Sequence, residues 1–278
     1  MPFFITKASG EQEEFSFRKL HRSLRKAGAT DRFINQIIAE VKHIKPTSTQ
    51  QIHEYAISRL AQENPPIAAR YNLKRALMQL GPAGFPFERF VSKLLQGQGY
   101  DVEIGQEIDG SCVHHEVDVV ATNKNEKCMV ECKFHNSPGL KTDVKVMLYV
   151  RARFEDIAKK WEQEAPKRAL HAWVFSNTQF TIDAIQYATC IGMRLTGWGY
   201  PIGQSLAEMI DKQGMHPITA LTKLNYAQKR TLIEQGLVLC KDIEQYRSDL
   251  SQLGFTQAQI ETLCTEAHMV CSLQSEGE

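Results

Sequence analysis

The chain has 278 residues, 42% of them hydrophobic, and its 33 Lys and Arg nearly balance 32 Asp and Glu. It has no run of about 18 apolar residues, which excludes a membrane-spanning helix, and its N-terminus lacks the basic and apolar regions of a secretory signal. The seven cysteines are scattered without a CxxC pair. This pattern argues against a structural zinc site and predicts a soluble, cytoplasmic protein with reduced thiols.

The net charge of +1 conceals an uneven distribution along the chain. Residues 1–80 carry 13 Lys and Arg against 7 Asp and Glu, residues 81–200 carry 14 against 15, and residues 201–278 carry 6 against 10. A basic first segment can attract a phosphate-bearing ligand. The alternative is an ordinary basic helix surface.

The first 80 residues have the pattern of a small, mainly helical unit. Short alternating stretches around a turn at Ser9-Gly10 predict a β-hairpin, and apolar residues then recur at spacings of three and four, which predicts four amphipathic helices. Ser16 is the expected N-cap of the first helix. The predicted elements are strands at 2–7 and 12–15, and helices at 16–27, around 33–41, from Ser48 or Thr49 to Pro65-Pro66, and from about 67 to 80.

A Gly-Pro-Ala-Gly stretch at 81–84 is a natural boundary, after which helices and strands alternate. From about Ser205 the pattern becomes a series of short helices. The predicted elements of the middle segment are a helix at 87–96, strands at 100–107, 117–121 and 127–133, a helix at 141–164, a strand at 169–176, a helix at 181–191 and a strand at 193–198. The later predicted helices are 221–236, 240–246, 246–253 and 256–268.

The most informative residues lie on two strands that we expect to pair as a hairpin. Side chains alternate between the faces of a strand, so Asp118, Glu131 and Lys133 can converge on one face. The residues expected on the other, apolar face are Val117, Val119, Val130 and Cys132. Charged groups in such surroundings need a metal ion or an ion pair to compensate for their burial.

Two adjacent carboxylates suit Mg²⁺ or Mn²⁺, which bind through oxygen and retain several waters. Such an ion can polarise a scissile phosphate and activate a bound water, while Lys133 orients the water or offsets negative charge in the transition state. The alternative is a surface hairpin with a cross-strand Glu–Lys pair. The apolar strand MVECK, the hairpin-sized gap between Asp118 and Glu131, and a preceding amphipathic helix with Glu88 favour phosphodiester hydrolysis.

Residues from about 85 to 200 resemble the Mrr-like branch of the PD-(D/E)XK restriction endonuclease superfamily. The resemblance rests on FERFVSKLLQGQGYDVE, HEVDVVA, VECKF and AWVFSNTQFT, in that order. It implies an αβββαβ core with a mixed sheet and Mg²⁺- or Mn²⁺-dependent DNA cleavage. It further implies that Asp118 and Glu131 bind the metal, that Lys133 is the catalytic lysine and that Glu88 supports the metal.

Two features of this segment depart from the usual Mrr-like pattern. Glu131 stands where many relatives carry Gln, which stays within the superfamily's D/E pattern. The run His114-His115-Glu116 is less common, and two readings of it stay open: His115 either contacts phosphate or water, or is a hydrogen-bonded loop histidine.

Residues 3–80 resemble the ATP-cone, a regulatory nucleotide-binding module, through ITKASGEQEEFSFRKLHRSL, TSTQQIHE and AARYNLKRAL. The resemblance implies ATP or dATP as an allosteric ligand, and it places five residues at the cone's contact positions: Lys7, Glu13, Lys19, His21 and Thr49. Lys7 and Lys19 can meet a triphosphate, with Arg70 adding to them. Ala8-Ser9 replaces the usual Arg-Asp and removes one positive charge. A helical cap without nucleotide binding is the alternative.

Residues 216–268 loosely resemble a helix-hairpin-helix bundle, for which protein contact or dimerisation and DNA binding are both open readings. The predicted fold is therefore a multidomain α+β chain with three units. These are an ATP-cone at 1–80, a nuclease domain at 81–204 and an all-α C-terminal domain at 205–278. No P-loop or GxGxxG is present, so the cone is expected to sense nucleotide and not to hydrolyse it.

The leading hypothesis is a Mg²⁺-dependent DNA endonuclease of restriction or defence type that is regulated by ATP or dATP. The expected partners are DNA, an adenine nucleotide and further copies of the chain in a dimer or larger homo-oligomer, with no membrane association. The alternative hypothesis is a nucleotide-sensing regulator that binds nucleic acid or a protein without cutting. Retention of Asp118, Glu131 and Lys133 favours the first hypothesis.

Overall fold

The computed structural model describes residues 3–6, 11–137, 139–164 and 168–272. A two-stranded hairpin opens the chain, with β1 at Phe4–Thr6 and β2 at Gln12–Glu14. Four helices follow, and they are α1 Phe17–Lys26, α2 Asp31–Ile44, α3 Thr49–Glu63 and α4 Pro65–Met78. The predicted turn at Ser9-Gly10 lies outside the described residues.

The N-terminal helices begin where local side chains satisfy their first free N–H groups. The Ser16 hydroxyl accepts from the N–H of Lys19 at 3.3 Å, and the Ser48 hydroxyl accepts from that of Gln51 at 3.2 Å. The predicted cap of α1 is therefore confirmed, and Ser48 is the correct choice of the two candidates for α3. The backbone N–H of Thr6 donates to Thr47 at 2.9 Å, which ties the hairpin to the start of α3.

The middle of the chain forms a five-stranded mixed sheet with the strand order β3-β4-β5-β7-β9. The pairs β3–β4 and β4–β5 are antiparallel, while β5–β7 and β7–β9 are parallel. A separate short parallel pair joins β6 to β8. The elements are α5 Phe85–Gly97, β3 Asp101–Asp109, β4 His114–Thr122, β5 Glu126–Lys133, β6 Lys141–Thr142, α6 Val144–Glu164, β7 Ala169–Ser176, β8 Gln179–Phe180, α7 Ile182–Cys190 and β9 Arg194–Thr196.

Two hydrophobic clusters cover the two faces of this sheet. Helix α5 contributes Phe87 and Phe90 to one cluster, which also includes Val119 and Val130 from the central strands. Helices α6 and α7 cover the other face, where Trp161 packs in the second cluster. The sheet is thus buried on both sides, as parallel strand pairs require. The predicted mixed sheet is confirmed.

Strand β4 changes its packing at Asp118. Val119 belongs to the α5 cluster as predicted, but Val117 packs in the cluster beneath α6. The prediction that both valines share a face is therefore wrong. In the β3–β4 ladder, the residues on either side of Gly105 pair with Val119 and Val117, but Gly105 itself does not pair with Asp118. Gly105 has φ +61°, a left-handed conformation that favours glycine. The distortion interrupts the regular alternation of β4.

The C-terminal region is helical, as predicted, with α8 Leu206–Gln213, a 3₁₀ turn at Ile218–Ala220, α9 Tyr226–Glu234, a 3₁₀ segment at Cys240–Tyr246, α10 Arg247–Gln252 and α11 Gln257–Cys271. The prediction that a helix begins at Leu221 is wrong. Helix α9 begins later because Asn225 and Gln228 form a reciprocal capping box. None of the described helices is long and apolar enough to cross a membrane.

Helix α4 connects the N-terminal helices to the rest of the protein. Its residues Leu73 and Leu77 belong to the same buried cluster as α5 and the C-terminal helices. The Thr219 hydroxyl also donates to the Ala76 carbonyl at 2.6 Å. Movement of α4 would therefore disturb the core that it shares with α5 and the C-terminal helices. The division into units at 80 and 204 stays a prediction.

Candidate active site

Asp118 lies where strands β4 and β5 separate. The last paired residues of this ladder are Val119 and Val130. Beyond this pair, the backbone N–H of Cys132 donates to the Asp118 carboxylate at 2.7 Å. The side chain thus replaces a backbone acceptor, and this fixes the carboxylate beside the backbone between Glu131 and Lys133.

Glu131 is the most buried carboxylate of the site, with 3% of its surface exposed. One of its oxygens is 2.5 Å from the Lys133 ammonium, and the other accepts from the Arg153 guanidinium at 2.7 Å. Arg153 lies on α6 and also donates to the Glu116 carbonyl at 2.9 Å. This helix therefore clamps the strands that carry the acidic residues.

Glu88, in the first turn of α5, faces the same acidic group. Burial, together with repulsion from the nearby Asp118, Glu116 and Glu131 carboxylates, raises the pKa of Glu88 to about 7. Burial, followed by repulsion from Glu131, raises the pKa of Asp118 to about 6, although the Cys132 N–H acts in the opposite direction. Lys133 lowers both values without cancelling these effects. The structure thus brings Asp118, Glu131, Lys133 and Glu88 together.

These residues fit a divalent cation without forming a complete metal centre. Among the described residues, no group of three or more His, Cys, Asp or Glu side chains is arranged to hold a metal. Mg²⁺ in phosphate-processing sites uses only one or two protein carboxylates, together with waters and substrate phosphates. Asp118 and Glu131 could supply that set, and a cation there would relieve the repulsion between carboxylates that contributes to the raised pKa of Asp118.

His115 has a defined structural partner. Its Nε2 lies 2.8 Å from the Asp156 carboxylate on α6. Asp156 also accepts from the N–H groups of Cys112 and Val113, at 2.8 and 3.3 Å. This geometry favours the reading of His115 as a hydrogen-bonded histidine, but the residue lies on strand β4 and not in a loop. The contacts of Asp156 fasten the β3–β4 turn to α6.

The residues expected to bind nucleotide lie at several places on the N-terminal helices. Lys7 lies outside the described residues. Lys19 pairs with Glu13 at 3.4 Å, and His21 lies 3.6 Å from Asp31 on α2. Arg70 lies on a different side, with its Nε 3.8 Å from the Asp211 carboxylate of α8. The structure therefore unites Glu13 with Lys19 and keeps Arg70 at a contact with the C-terminal region.

Thr49 lines a cavity of about 500 Å³ between α3, α4 and the segment that follows β5. His53 and Tyr71 stack on its wall, with ring centroids 5.0 Å apart and planes inclined by 29°. Lys74 and Arg75 add positive charge. We name this space, lined by Thr49, Gln50, His53, Tyr71, Lys74, Arg75, Met78 and Asn136, the interdomain cavity.

Several residues of these sites are not predicted from the sequence, among them Arg153, His53 and Lys74. Spacing gave a usable signal for His53, because it follows Thr49 by one helical turn and so shares its face. Lys74 follows Arg70 by the same interval, and the two share a neighbouring cavity, but only Lys74 also lines the interdomain cavity. Nothing local marks Arg153, because its partner Glu131 is 22 residues away and is reached only through the packing of α6.

We predict that Arg153→Gln destabilises the fold by about 3 kcal/mol, because it leaves the buried Glu131 carboxylate with one cation. Arg151→Gln on the same helix is the matched control. Arg151 forms an exposed pair with Glu155 at 2.6 Å, and its loss should cost less than about 0.5 kcal/mol. Urea unfolding measures both values. Equal losses in the two variants would contradict the clamp.

We predict that Glu88→Gln stabilises the metal-free protein at alkaline pH. The pKa of Glu88 is raised from 4.5 to about 7, so the folded state retains a proton that the unfolded chain releases. Wild-type stability therefore falls as pH rises between these values. Gln cannot ionise. Because solvent screens this half-buried group, we expect a gain of about 1 kcal/mol near pH 8 and none near pH 4. Exposed Glu103→Gln is the control, and a gain independent of pH would refute the assignment.

Two family models match the chain. Residues 82–198 match the model described as restriction endonuclease, and residues 216–271 match the model described as AF1548-like, C-terminal. The first match contains Glu88, Asp118, Glu131 and Lys133. Neither match includes residues 1–81, so the ATP-cone remains a resemblance seen in the sequence.

Similarity to whole proteins points the same way. An uncharacterized protein of Archaeoglobus fulgidus is 33% identical over 181 residues, which span 65% of this chain and 99% of that protein. A solved structure titled as the protein of unknown function AF1548 is 32% identical, with a TM-score of 0.55 and coverage of 68% of this chain and 99% of its own. This chain belongs to the AF1548-like family and carries a restriction endonuclease domain.

Proposed function

We propose that this protein is a Mg²⁺- or Mn²⁺-dependent DNA endonuclease of restriction or defence type. The observation that carries the proposal is the convergence of Asp118, Glu131, Lys133 and Glu88 where β4 and β5 separate, inside the segment that matches a restriction endonuclease model. Asp118 and Glu131 hold the metal, and Lys133 acts at the scissile phosphate. The hydrolysed bond is a phosphodiester.

Each residue has a role that follows from its environment. A bound divalent ion supplies Lewis-acid activation of the phosphate and lowers the pKa of a bound water. The Lys133 side chain is 34% exposed, whereas that of Glu131 is 4% exposed. The Lys133 ammonium therefore lies at the mouth of the site, where it can donate to a phosphate oxygen or orient a water. Glu88 adds a carboxylate that accepts a proton near neutral pH.

We further propose that the N-terminal helices bind ATP or dATP as a regulatory ligand. Support comes from the cone-like sequence motifs and from the interdomain cavity, which combines a stacked aromatic pair with the cations Lys74 and Arg75. Thr49 lines this cavity, whereas Lys19 lies outside its lining, beside Glu13. Such a ligand would act by binding one conformation or oligomeric state more tightly than another.

One observation favours the alternative, a regulator that binds nucleic acid or a protein without cutting. Both oxygens of Glu131 are already paired, one with Lys133 and one with Arg153. The buried carboxylate is thereby compensated without any metal. A non-cleaving protein would keep these ion pairs intact, whereas in an active nuclease we expect the positive charge of the metal to displace Lys133 or Arg153 from Glu131.

We predict that the full chain cleaves DNA with Mg²⁺ or Mn²⁺ and that Lys133→Ala lowers the rate by about 100-fold, because a phosphate-directed cation is lost. Asp118→Asn should abolish metal-dependent cleavage. Exposed Lys124→Ala, on the β4–β5 turn, controls for general charge loss. Supercoiled plasmid and single-stranded RNA are tested with and without ATP. DNA binding without turnover under all conditions would support the regulator instead.

We predict that ATP binds the full chain and that Lys74→Ala weakens binding about tenfold, as expected for loss of one charge-assisted contact. Exposed Arg32→Ala on α2 removes a cation of the same helical unit away from the cavity. Isothermal titration calorimetry with ATP, dATP and GTP measures affinity and base preference. Equal weakening by both substitutions would show that only overall charge matters.

A further inference from the structure

The interdomain cavity is built from two parts of the chain. Most of its walls come from α3 and α4, through residues such as His53 and Lys74, but Asn136 follows strand β5 of the nuclease-like sheet. Asn136 lies three residues after Lys133, and its side-chain amide donates to the Pro82 carbonyl at 3.3 Å. A ligand in this cavity would therefore touch both the N-terminal helices and the segment that continues from the candidate active site.

Phe134 and His135, which lie between Lys133 and Asn136, contact the elements on both sides of them. Phe134 packs on Phe87, with ring centroids 5.6 Å apart, next to Glu88 on α5. The His135 N–H donates to Asn177 at 2.8 Å, and the amide of Asn177 donates back to the His135 carbonyl at 2.9 Å. The segment 134–136 is thus attached to α5 on one side and to the end of β7 on the other.

The same hydrogen-bonded connection reaches the floor of the cavity. The Asn177 amide also lies 3.1 Å from the Met78 sulfur, and Met78 lines the cavity at the end of α4. A displacement of α4 or of Asn136 would consequently change the contacts that hold His135. His135 is two residues from Lys133, so a shift of His135 would move the backbone that carries the lysine.

The cavity selects a ligand by charge and by flat apolar surface. Lys74 is half-buried and has no acidic partner among the described residues, while Arg75 lies 3.7 Å from Glu54. The tilted stack of His53 and Tyr71 presents aromatic surface beside these cations. An anion joined to an aromatic ring, as in a nucleotide, satisfies both features.

We infer that Asn136 reads the occupancy of the interdomain cavity and that a nucleotide bound there repositions segment 134–136, and with it Lys133 relative to Glu131. The inference rests on the proposed binding of an adenine nucleotide to the N-terminal helices. It assigns the regulation to a direct contact within one chain, with no requirement for a change of oligomeric state. Asn136 acts as a positioning residue, since it touches the ligand and not the scissile phosphate.

Hydrogen exchange of the full chain in constant Mg²⁺, with and without ATP, tests this inference. In the wild type, ATP should slow amide exchange in peptides of α3 and α4 and also in peptides that span residues 131–140. At an ATP concentration that saturates the variant, Asn136→Ala should keep the first response and lose the second. Asn125→Ala is the matched control, because this exposed asparagine lies at the opposite end of β5, away from the cavity, and should keep both responses.

The possible failures separate the inference from the function on which it rests. Slowed exchange in α3 and α4 with no change at 131–140 in the wild type would overturn the inference and leave nucleotide binding intact. A full response in Asn136→Ala would overturn the role of Asn136. The absence of any ATP effect, together with no heat of binding, would overturn nucleotide binding and the inference with it.

Discussion

The hydrogen bond from the Cys132 N–H to the Asp118 carboxylate determines how the candidate site is built. It ends the β4–β5 ladder at the point where Gly105 distorts the neighbouring strand. A carboxylate is thereby held among buried groups, which raises the pKa of Asp118. Glu131, Lys133 and Glu88 then lie around it because β5 and α5 pack against the same core. If β4 and β5 continued to pair regularly, backbone hydrogen bonds would take the place of the contact between Cys132 and Asp118.

This arrangement carries a cost in stability that is characteristic of a functional site. Carboxylates with raised pKa values destabilise the folded state once they ionise, and a buried ion pair such as Glu131–Arg153 contributes little net stability by itself. Such residues are difficult to explain by packing alone. Their placement at one mouth, with the partly exposed Lys133, is what supports phosphodiester hydrolysis over a purely structural role.

Much of the fold and of the proposed catalytic set could be predicted from the sequence. Local signals were sufficient for the strand that carries Lys133, for the cap Ser16 and for limiting the cap of α3 to Ser48 or Thr49. The Mrr-like resemblance implied the element order αβββαβ, and the order of strands in the sheet comes from the structure. Alternation failed at Val117 because it assumes a regular strand, and Gly105 lies on the neighbouring strand. The predicted start of α9 is wrong because Asn225 and Gln228 cap the helix at a later position. Arg153 and Asn136 depend on tertiary packing, which periodicity does not reveal.

The central claim is that Asp118 and Glu131 hold a catalytic divalent ion. The most direct measurement is an anomalous difference map from crystals of the full chain soaked in Mn²⁺. We predict one strong peak in contact with the carboxylates of Asp118 and Glu131, with the Glu131 ion pair to Lys133 or Arg153 opened, and no peak in crystals of Asp118→Asn. Absence of a peak at this site in the wild type, with both ion pairs of Glu131 intact, would contradict the account.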